Sequence, residues 1–520
     1  MQKLRSYVGG RWVQGEGAAQ TLVNPATEAP LAEAASEGID TAAALAYARE
    51  HGGPALRAMS FAERGALLKA TGKALHERRD ELLELGIANG GNTRSDAKFD
   101  VDGAIGTLHH YADLGASLGA AKFLTDGEGI QLGRSPRFHG QHIAVPRLGV
   151  AVHVNAFNFP AWGLAEKAAC ALLAGMPVLA KPATSSAMVA HRAVEVLVEK
   201  KILPEGALSL FVGSPRDLVK NLRAQDVLAF TGSGDTAAKL RALPNVIAES
   251  VRVNVEADSL NAAVLGPDVE PGSEMYETFL DDVIRDMTQK AGQKCTAIRR
   301  VLVPKDAVAG VLEDIRQRLA GIRVGNPAEE GVNMGPLANA AQLADVREGV
   351  TRLAAEAKLV FGSAAPVAGV GAPAGKGFFI SPVLIEYAAG AAAVALHARE
   401  VFGPVAALLP YSGDAKEAAS IIARGAGGLV ASAYSEDAAW LSEIVFGLAP
   451  LHGRIFLGHP KIEFSPGPGT VLPQLVHGGP GRAGGGEELG GARGLAFYMQ
   501  RVALEGSRPV IDKLLGTKSA

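Results

Sequence analysis

Cys295 and Glu256 are the two residues of this sequence best suited to covalent chemistry. Cys295 stands in Ala291-Gly-Gln-Lys-Cys-Thr-Ala-Ile-Arg-Arg300, a polar stretch that follows a glycine and lies between basic side chains. Glu256 precedes it by 39 residues (256 to 295), in Val255-Glu-Ala-Asp258. A thiolate is the attacking form of cysteine, and nearby positive charge or aligned backbone N–H groups favour it. A carboxylate in the same site can act as base for a water. A free cysteine taken alone is more often a small buried hydrophobe. Cys170, in Lys167-Ala-Ala-Cys-Ala-Leu-Leu173, reads that way, as a buried helix residue. The surroundings of Cys295 argue for chemistry instead. The twelve histidines, His109-His110 included, show no metal-ligand spacing, so no metal is expected.

The elements that would position these residues follow a regular rhythm. Residues 39–117 read as helix-rich, with apolar positions at helical spacing from Phe61 to Leu75. From Leu148 the pattern changes to short apolar runs at 149–154, 177–180, 208–212 and 227–231, separated by helical stretches such as 162–173 and 185–200. Strands alternating with helices indicate βαβ units and a parallel sheet, an architecture suited to nucleotides. Turn residues break the pattern between 256 and 271. A helix over 274–290 then leads into the Cys295 segment, and a second α/β region runs to about residue 450. Segment 457–494 is rich in Gly and Pro, yet so long a stretch inside a compact chain reads as an ordered functional loop.

Composition narrows the function classes. A chain of 520 residues implies two or three domains. Hydrophobic residues at 48% and charged residues at 20% describe a globular protein with ample core. A net charge of −3 gives no basic field for nucleic acid. Two cysteines in the chain suggest a reducing compartment. No apolar run approaches bilayer length and the start shows no secretory signal, so a cytoplasmic location without membrane partners is expected.

Several fragments, in order, make the chain resemble the aldehyde dehydrogenase family over nearly its whole length. They are Tyr7-Val-Gly-Gly-Arg-Trp-Val13, Asn24-Pro-Ala-Thr27, Asn158-Phe-Pro160, Lys181-Pro-Ala183, Phe230-Thr-Gly-Ser233, Glu256, Gly292-Gln-Lys-Cys295 and Glu400-Val-Phe-Gly-Pro404. The resemblance implies an α/β fold: a Rossmann-like cofactor domain (1–128 and 148–256), a second α/β catalytic domain (257–484) and a small bridging β element (129–147 and 485–520). That last element implies a homodimer or a dimer of dimers. The resemblance further implies that Cys295 attacks an aldehyde to give a thiohemiacetal. Asn158 and the Cys295 N–H would stabilise the oxyanion, and Glu256 would activate the water that hydrolyses the thioester. Glu256 favours a free acid as product over transfer to coenzyme A. The family usually has two glycines after this Glu, where this chain has Ala257-Asp258.

For the cofactor, the resemblance assigns Lys181 to the adenosine ribose, Gly232 and Ser233 to the pyrophosphate, Glu400 to the nicotinamide ribose and Phe402 to the ring. Many members that prefer NAD place a Glu a few residues beyond the Lys to hold both ribose hydroxyls. Lys181-Pro-Ala-Thr184-Ser-Ser186 offers hydroxyls instead, so NADP is expected, with NAD as a weaker alternative. His477-Gly-Gly-Pro-Gly-Arg-Ala-Gly-Gly-Gly-Glu-Glu-Leu-Gly-Gly491, with 253–261 and 290–300, is similar to a subgroup that oxidises coenzyme A-linked semialdehydes formed after ring opening of aromatic acyl-CoA compounds. The implied substrate is 3,4-dehydroadipyl-CoA semialdehyde of aerobic benzoate catabolism, and the alternative is a free aliphatic or aromatic aldehyde. A hydratase domain, which a bifunctional relative carries after the dehydrogenase, is not expected before Ala520. Arg134, Arg137, Arg147, Lys461 and Arg482 are basic groups available to coenzyme A phosphates, though solvated surface is the simpler reading for each.

Overall fold

The apolar runs read between 149 and 231 fold as the strands Ala151–Val154, Val178–Lys181, Leu208–Leu210 and Val227–Thr231. Together with Arg252–Glu256 they form a parallel sheet. Nearly every residue in them is buried, because helices cover both faces of a parallel sheet and leave no solvent side to alternate with. The computed structural model describes residues 1–390, 393–462 and 465–516. Two antiparallel strands, Ser6–Val8 and Arg11–Val13, extend this sheet to seven. The first of the parallel strands in sequence, Ala151–Val154, lies between Val178–Lys181 and Val227–Thr231. Strand order therefore reverses there, and such a reversal opens a crevice at the carboxyl ends of the strands.

A second seven-stranded sheet runs in the order Lys358–Phe361, Val383–Glu386, Val405–Tyr411, Ile298–Pro304, Asn261–Leu265, Gly428–Tyr434, His452–Leu457. It is parallel except for its first pair. Three further strands, Leu124–Gln131, Phe138–Pro146 and Met499–Ser507, make a separate antiparallel sheet. The first of them crosses the boundary expected at 128/129. The Gly- and Pro-rich stretch contains a hairpin of Val476–Gly479 with Gly486–Leu489, so the boundary expected at 484 falls inside one folded unit. The Ala257 N–H donates to the Ala483 carbonyl at 2.9 Å, and Asn254 Oδ1 accepts from the Glu487 N–H at 3.0 Å. Both bonds dock the hairpin beside Glu256. Residues 463 and 464 of that stretch lie outside the described residues. Among the described residues, no helix is long and apolar enough to cross a membrane.

The approach to Cys295 departs from the helix read to 290. That helix is Glu274–Thr288, capped by Ser273, whose Oγ accepts from the Tyr276 N–H at 3.2 Å. Lys290, Ala291 and Gly292 then take φ of +54°, +51° and +68° in succession. Left-handed backbone costs a non-glycine residue about 1–2 kcal/mol, so tertiary contacts must over-determine this turn. They do. The Lys290 N–H donates to Asp96 Oδ1 at 3.0 Å and its ammonium to Asn92 Oδ1 at 3.0 Å, while Gln293 Oε1 accepts from the Ala338 N–H at 3.0 Å. The turn reverses the chain so that Cys295 faces the first sheet.

Gly292 is the tightest point of the turn, since a Cβ there would lie 2.2 Å from the Gly403 carbonyl oxygen. We predict that Gly292→Ala lowers stability by more than about 1 kcal/mol, from φ incompatibility alone, and slows alkylation of Cys295. Gly310→Ala is the control: it sits in the helix Val308–Ala320 with open space around it and should leave both unchanged or raise Tm. Thermal unfolding and iodoacetamide kinetics check both variants.

Candidate active site

The strand ends of the first sheet deliver the site. Asn158 follows Ala151–Val154, Gly232 and Ser233 follow Val227–Thr231, and Glu256 closes Arg252–Glu256 in register with Thr231. The Gly232 N–H donates to the Glu256 carbonyl at 3.1 Å, fixing the two strand ends together. Cys295 arrives from the second sheet, just before Ile298–Pro304. Asn261 clamps its backbone, with Nδ2 donating to the carbonyls of Cys295 at 2.8 Å and Ala297 at 2.9 Å. The Asn158 amide donates to the Gln293 carbonyl at 3.0 Å, two residues from the sulfur.

Two cavities meet at Cys295. One of about 1300 Å³, open mouth included, is lined by Ala183, Gly232, Ser233, Glu400 and Phe402. The other, about 490 Å³, is walled by Phe99, Phe159, Trp162, Val471 and His477. Asn158, Thr231, Glu256 and Cys295 line both. The larger cavity, with charged and hydroxyl side chains in its lining, suits a dinucleotide and the aromatic one the apolar reacting end of a substrate, with the sulfur at their junction.

One functional side chain was not singled out from the sequence. His477 Nε2 lies 3.1 Å from Glu256 Oε1 and 3.9 Å from Cys295 Sγ. Its motif was visible, but its contact with residues 221 and 182 positions away was not. Behind Glu256, the Lys167 ammonium lies 2.8 Å from Glu166 Oε1 and 3.1 Å from Glu488 Oε2, and Asn254 Nδ2 donates to Glu488 Oε1 at 3.0 Å. A small cavity lined by Cys170, Glu487 and Tyr498 continues outward from this group. Lys167 and Cys170 share the helix Trp162–Ala174, both of them buried.

Electrostatics separate the roles. Burial would raise the Glu256 carboxyl, but the His477 imidazole and the Lys167 ammonium outweigh it and hold the group down, to about 2. Burial would likewise lower His477, and the Glu256 carboxylate turns the shift upward. Glu256 is therefore a carboxylate throughout the neutral range. The Cys295 thiol is pushed well above its usual value, first by burial and then by Glu256. Cys295 is half-buried and lines both cavities. At rest Cys295 is therefore a thiol, and any attack by its sulfur requires that the proton leave. Glu488 is raised to about 7, by burial first.

Of the residues expected at the cofactor, Gly232, Ser233, Glu400 and Phe402 line the larger cavity. Lys181 and Thr184 flank its lining residue Ala183 and are themselves buried. Burial alone lowers the Lys181 ammonium to about 8, and no partner acts on it among the described residues. Ser233 caps the helix Gly234–Arg241, accepting from the Thr236 N–H at 3.3 Å. Asp258, the departure from the family glycine, accepts from the Gly234 N–H at 3.3 Å at the same helix start. Glu400 is already bonded, to Arg299 Nε at 3.0 Å and the Ser259 N–H at 3.0 Å, and burial raises it to about 7. Phe402 stands edge-on to Phe157 at 5.9 Å.

The reading of five basic residues as solvated surface needs correction at two. Arg147 is buried, bonded to the carbonyls of Gln225 at 3.1 Å and Ala224 at 2.6 Å. Arg482 is half-buried and donates to the carbonyls of Gly425, Ala398 and His397 at 2.8–2.9 Å. Both are structural clamps whose carbonyl partners satisfy the guanidinium. Arg134, Arg137 and Lys461 are exposed.

Comparison with known proteins gives a consistent result. The profile described as the aldehyde dehydrogenase family matches residues 12–501. A 3,4-dehydroadipyl-CoA semialdehyde dehydrogenase from Aromatoleum evansii is 47% identical over 479 residues, 92% of this chain and 93% of that protein. Lactaldehyde dehydrogenase from Escherichia coli superposes with TM-score 0.84 at 24% identity, covering 97% of this chain and 99% of the other. The NAD+ complex of an aldehyde dehydrogenase from Bacillus cereus gives TM-score 0.84 at 21% identity, with 98% and 97% covered. At such identities the two structures show a shared fold.

The charge arrangement makes a prediction that needs no turnover. In Glu256→Gln the carboxylate that disfavours the thiolate is gone, so the pH profile of Cys295 alkylation should move to lower pH. Moving the profile down by one pH raises the neutral-pH rate about tenfold. An unchanged or higher profile would mean that Glu256 does not act on this sulfur.

Proposed function

This chain belongs to the aldehyde dehydrogenase family, and on that premise we propose that it oxidises a coenzyme A-linked semialdehyde, 3,4-dehydroadipyl-CoA semialdehyde, to the carboxylic acid with NADP, as a step of aerobic benzoate catabolism. The observation that carries the reading is the shared position of Cys295 and Glu256 at the junction of the two cavities. The similarity to the Aromatoleum protein along 92% of the chain supports the substrate.

Cys295 Sγ adds to the aldehyde carbon and its proton leaves by way of the His477 imidazole, 3.9 Å from the sulfur, and out through the cavity to solvent, so that Glu256 stays ionised for the second half of the reaction. The oxyanion of the thiohemiacetal takes donors from the Asn158 amide and the Cys295 N–H. NADP, when bound, supplies the hydride acceptor that turns this adduct into a thioester on Cys295. Glu256 then removes a proton from a water, whose oxygen displaces the sulfur and gives the acid. The proton taken up by Glu256 has the Lys167–Glu488 group beside it as an onward carrier.

The residues present fit a phosphorylated dinucleotide. Among the described residues, Lys181 is a buried cation without a partner, and Thr231 Oγ1 is buried without a hydrogen bond. Lys181 and Thr184 would hold the adenosine ribose with its 2′-phosphate, Gly232 and Ser233 the pyrophosphate, and Glu400 and Phe402 the nicotinamide end. A carboxylate at Thr184 would repel a 2′-phosphate, and none is there. The separate three-stranded sheet exposes Ile130, Phe138 and Val502, with Leu132 in the adjoining connection, which suits assembly into a homodimer or dimer of dimers. A cytoplasmic location matches the cysteine usage.

One experiment tests the proposal: product analysis by mass spectrometry with the CoA-linked semialdehyde and with hexanal, each paired with NADP and with NAD. We expect the highest kcat/KM for the CoA-linked substrate with NADP and the free acid as product. Equal or better turnover of hexanal would point to a general aldehyde dehydrogenase, and a clear advantage for NAD would overturn the cofactor assignment.

A further inference from the structure

The atoms that meet at the cavity junction are also a ligand set. Cys295 Sγ, His477 Nε2 and a Glu256 carboxylate oxygen all lie within 4.8 Å of one another. Nε2 to Oε1 is 3.1 Å and Sγ to Nε2 is 3.9 Å. In a tetrahedral zinc site with ordinary bond lengths, the N···O and S···N separations are roughly 3.4 and 3.6 Å. These two spacings are thus within a few tenths of an ångström of those a single ion would impose, and the sulfur lies within 4.8 Å of the carboxylate oxygen. The His477 and Glu256 side chains are 4% and 3% exposed, so little entropy remains to be lost on binding. The cavities on either side of Cys295 leave the fourth position open to water.

We propose that Cys295, His477 and Glu256 form a chelating site for a borderline-soft divalent ion, Zn2+ above all, and that the bound ion holds the enzyme inactive in a reversible way. Donor chemistry sets the choice of ion. Thiolate with imidazole and one carboxylate selects zinc or cobalt, whereas magnesium and calcium need oxygen ligands. The ion inhibits because it takes the electron pair of the sulfur that must attack and the oxygen that must accept a proton. The neighbouring trio Glu166, Glu256 and Glu488 also lies within 4.8 Å, but the Lys167 ammonium already sits between Glu166 and Glu488 as their cation. The charged groups facing the site are Lys167 and Arg454 on one side of the balance, Glu166, Glu488 and Glu400 on the other. An ion must displace protons from Cys295 and His477, so binding tightens as pH rises. Sequence spacing concealed the site, since its ligands come from three distant segments.

The test is spectroscopic, so it stands apart from the substrate assignment. The full-length reduced protein, free of cofactor, is titrated with Co2+ under anaerobic conditions. One equivalent should produce a sulfur-to-cobalt charge-transfer band with the intense visible bands of a tetrahedral ion. Cys295→Ser should abolish the charge-transfer band. His477→Phe and the milder His477→Asn should each weaken Co2+ binding by at least about tenfold, the lower end of what even an outer partner of a metal ligand contributes. Zn2+ should displace the cobalt, stop aldehyde oxidation in the same stoichiometry and be reversed by a chelator. No band in the wild type, a band that survives Cys295→Ser, or undiminished affinity in both His477 variants would overturn the proposal.

Discussion

An ionised carboxylate buried beside a cysteine sulfur is the constraint from which the rest of this structure follows. Alone, each group would neutralise: a carboxylate removed from water takes up a proton rather than bear the desolvation, which is several kcal/mol even after relaxation. Glu256 stays ionised because His477 lies 3.1 Å away and Lys167 stands behind it. The same carboxylate keeps the Cys295 thiol protonated at rest. Carboxylate and thiol are thus held in opposite protonation states by one charge arrangement, which suits the proposed use of one as base and the other as nucleophile.

Positioning these groups takes three parts of the chain. The first sheet brings Asn158, Gly232 and Glu256 to the point where its strand order reverses. A left-handed turn at Lys290, Ala291 and Gly292, pinned by Asp96 of a distant helix and by Asn92 just before it, points Cys295 across the gap. The hairpin Val476–Gly479 and Gly486–Leu489 lays His477 against both, held to the Arg252–Glu256 strand through Asn254 and Ala257. Each contact is made between elements that are far apart in sequence. The site therefore exists only once both sheets have docked.

How far the sequence foretold this differs from part to part. The strands at 151, 178, 208 and 227 were legible because burial on both faces writes them as continuous apolar runs bounded by turns. Cys295, Glu256 and Asn158 were legible through their motifs. His477, Lys167 and Glu488 were not, since a polar residue in a Gly-rich loop or an Ala-rich helix carries no local sign of a partner long distances away. The helix end at Thr288 was misplaced by two residues because Lys290 and Ala291 are good helix formers forced into a left-handed turn by tertiary bonds. Arg147 read as surface because backbone carbonyls, its actual partners, leave no trace in a sequence.

The division of labour between sulfur and carboxylate can be caught directly in the covalent state. Glu256→Gln keeps the nucleophile but lacks the base that activates water. Mixed with aldehyde and the nicotinamide cofactor, this variant should release one equivalent of reduced cofactor per site and then stall, and intact-protein mass spectrometry should find the acyl group on the Cys295 peptide. Steady turnover by the variant, or an acyl group anywhere other than Cys295, would contradict the account.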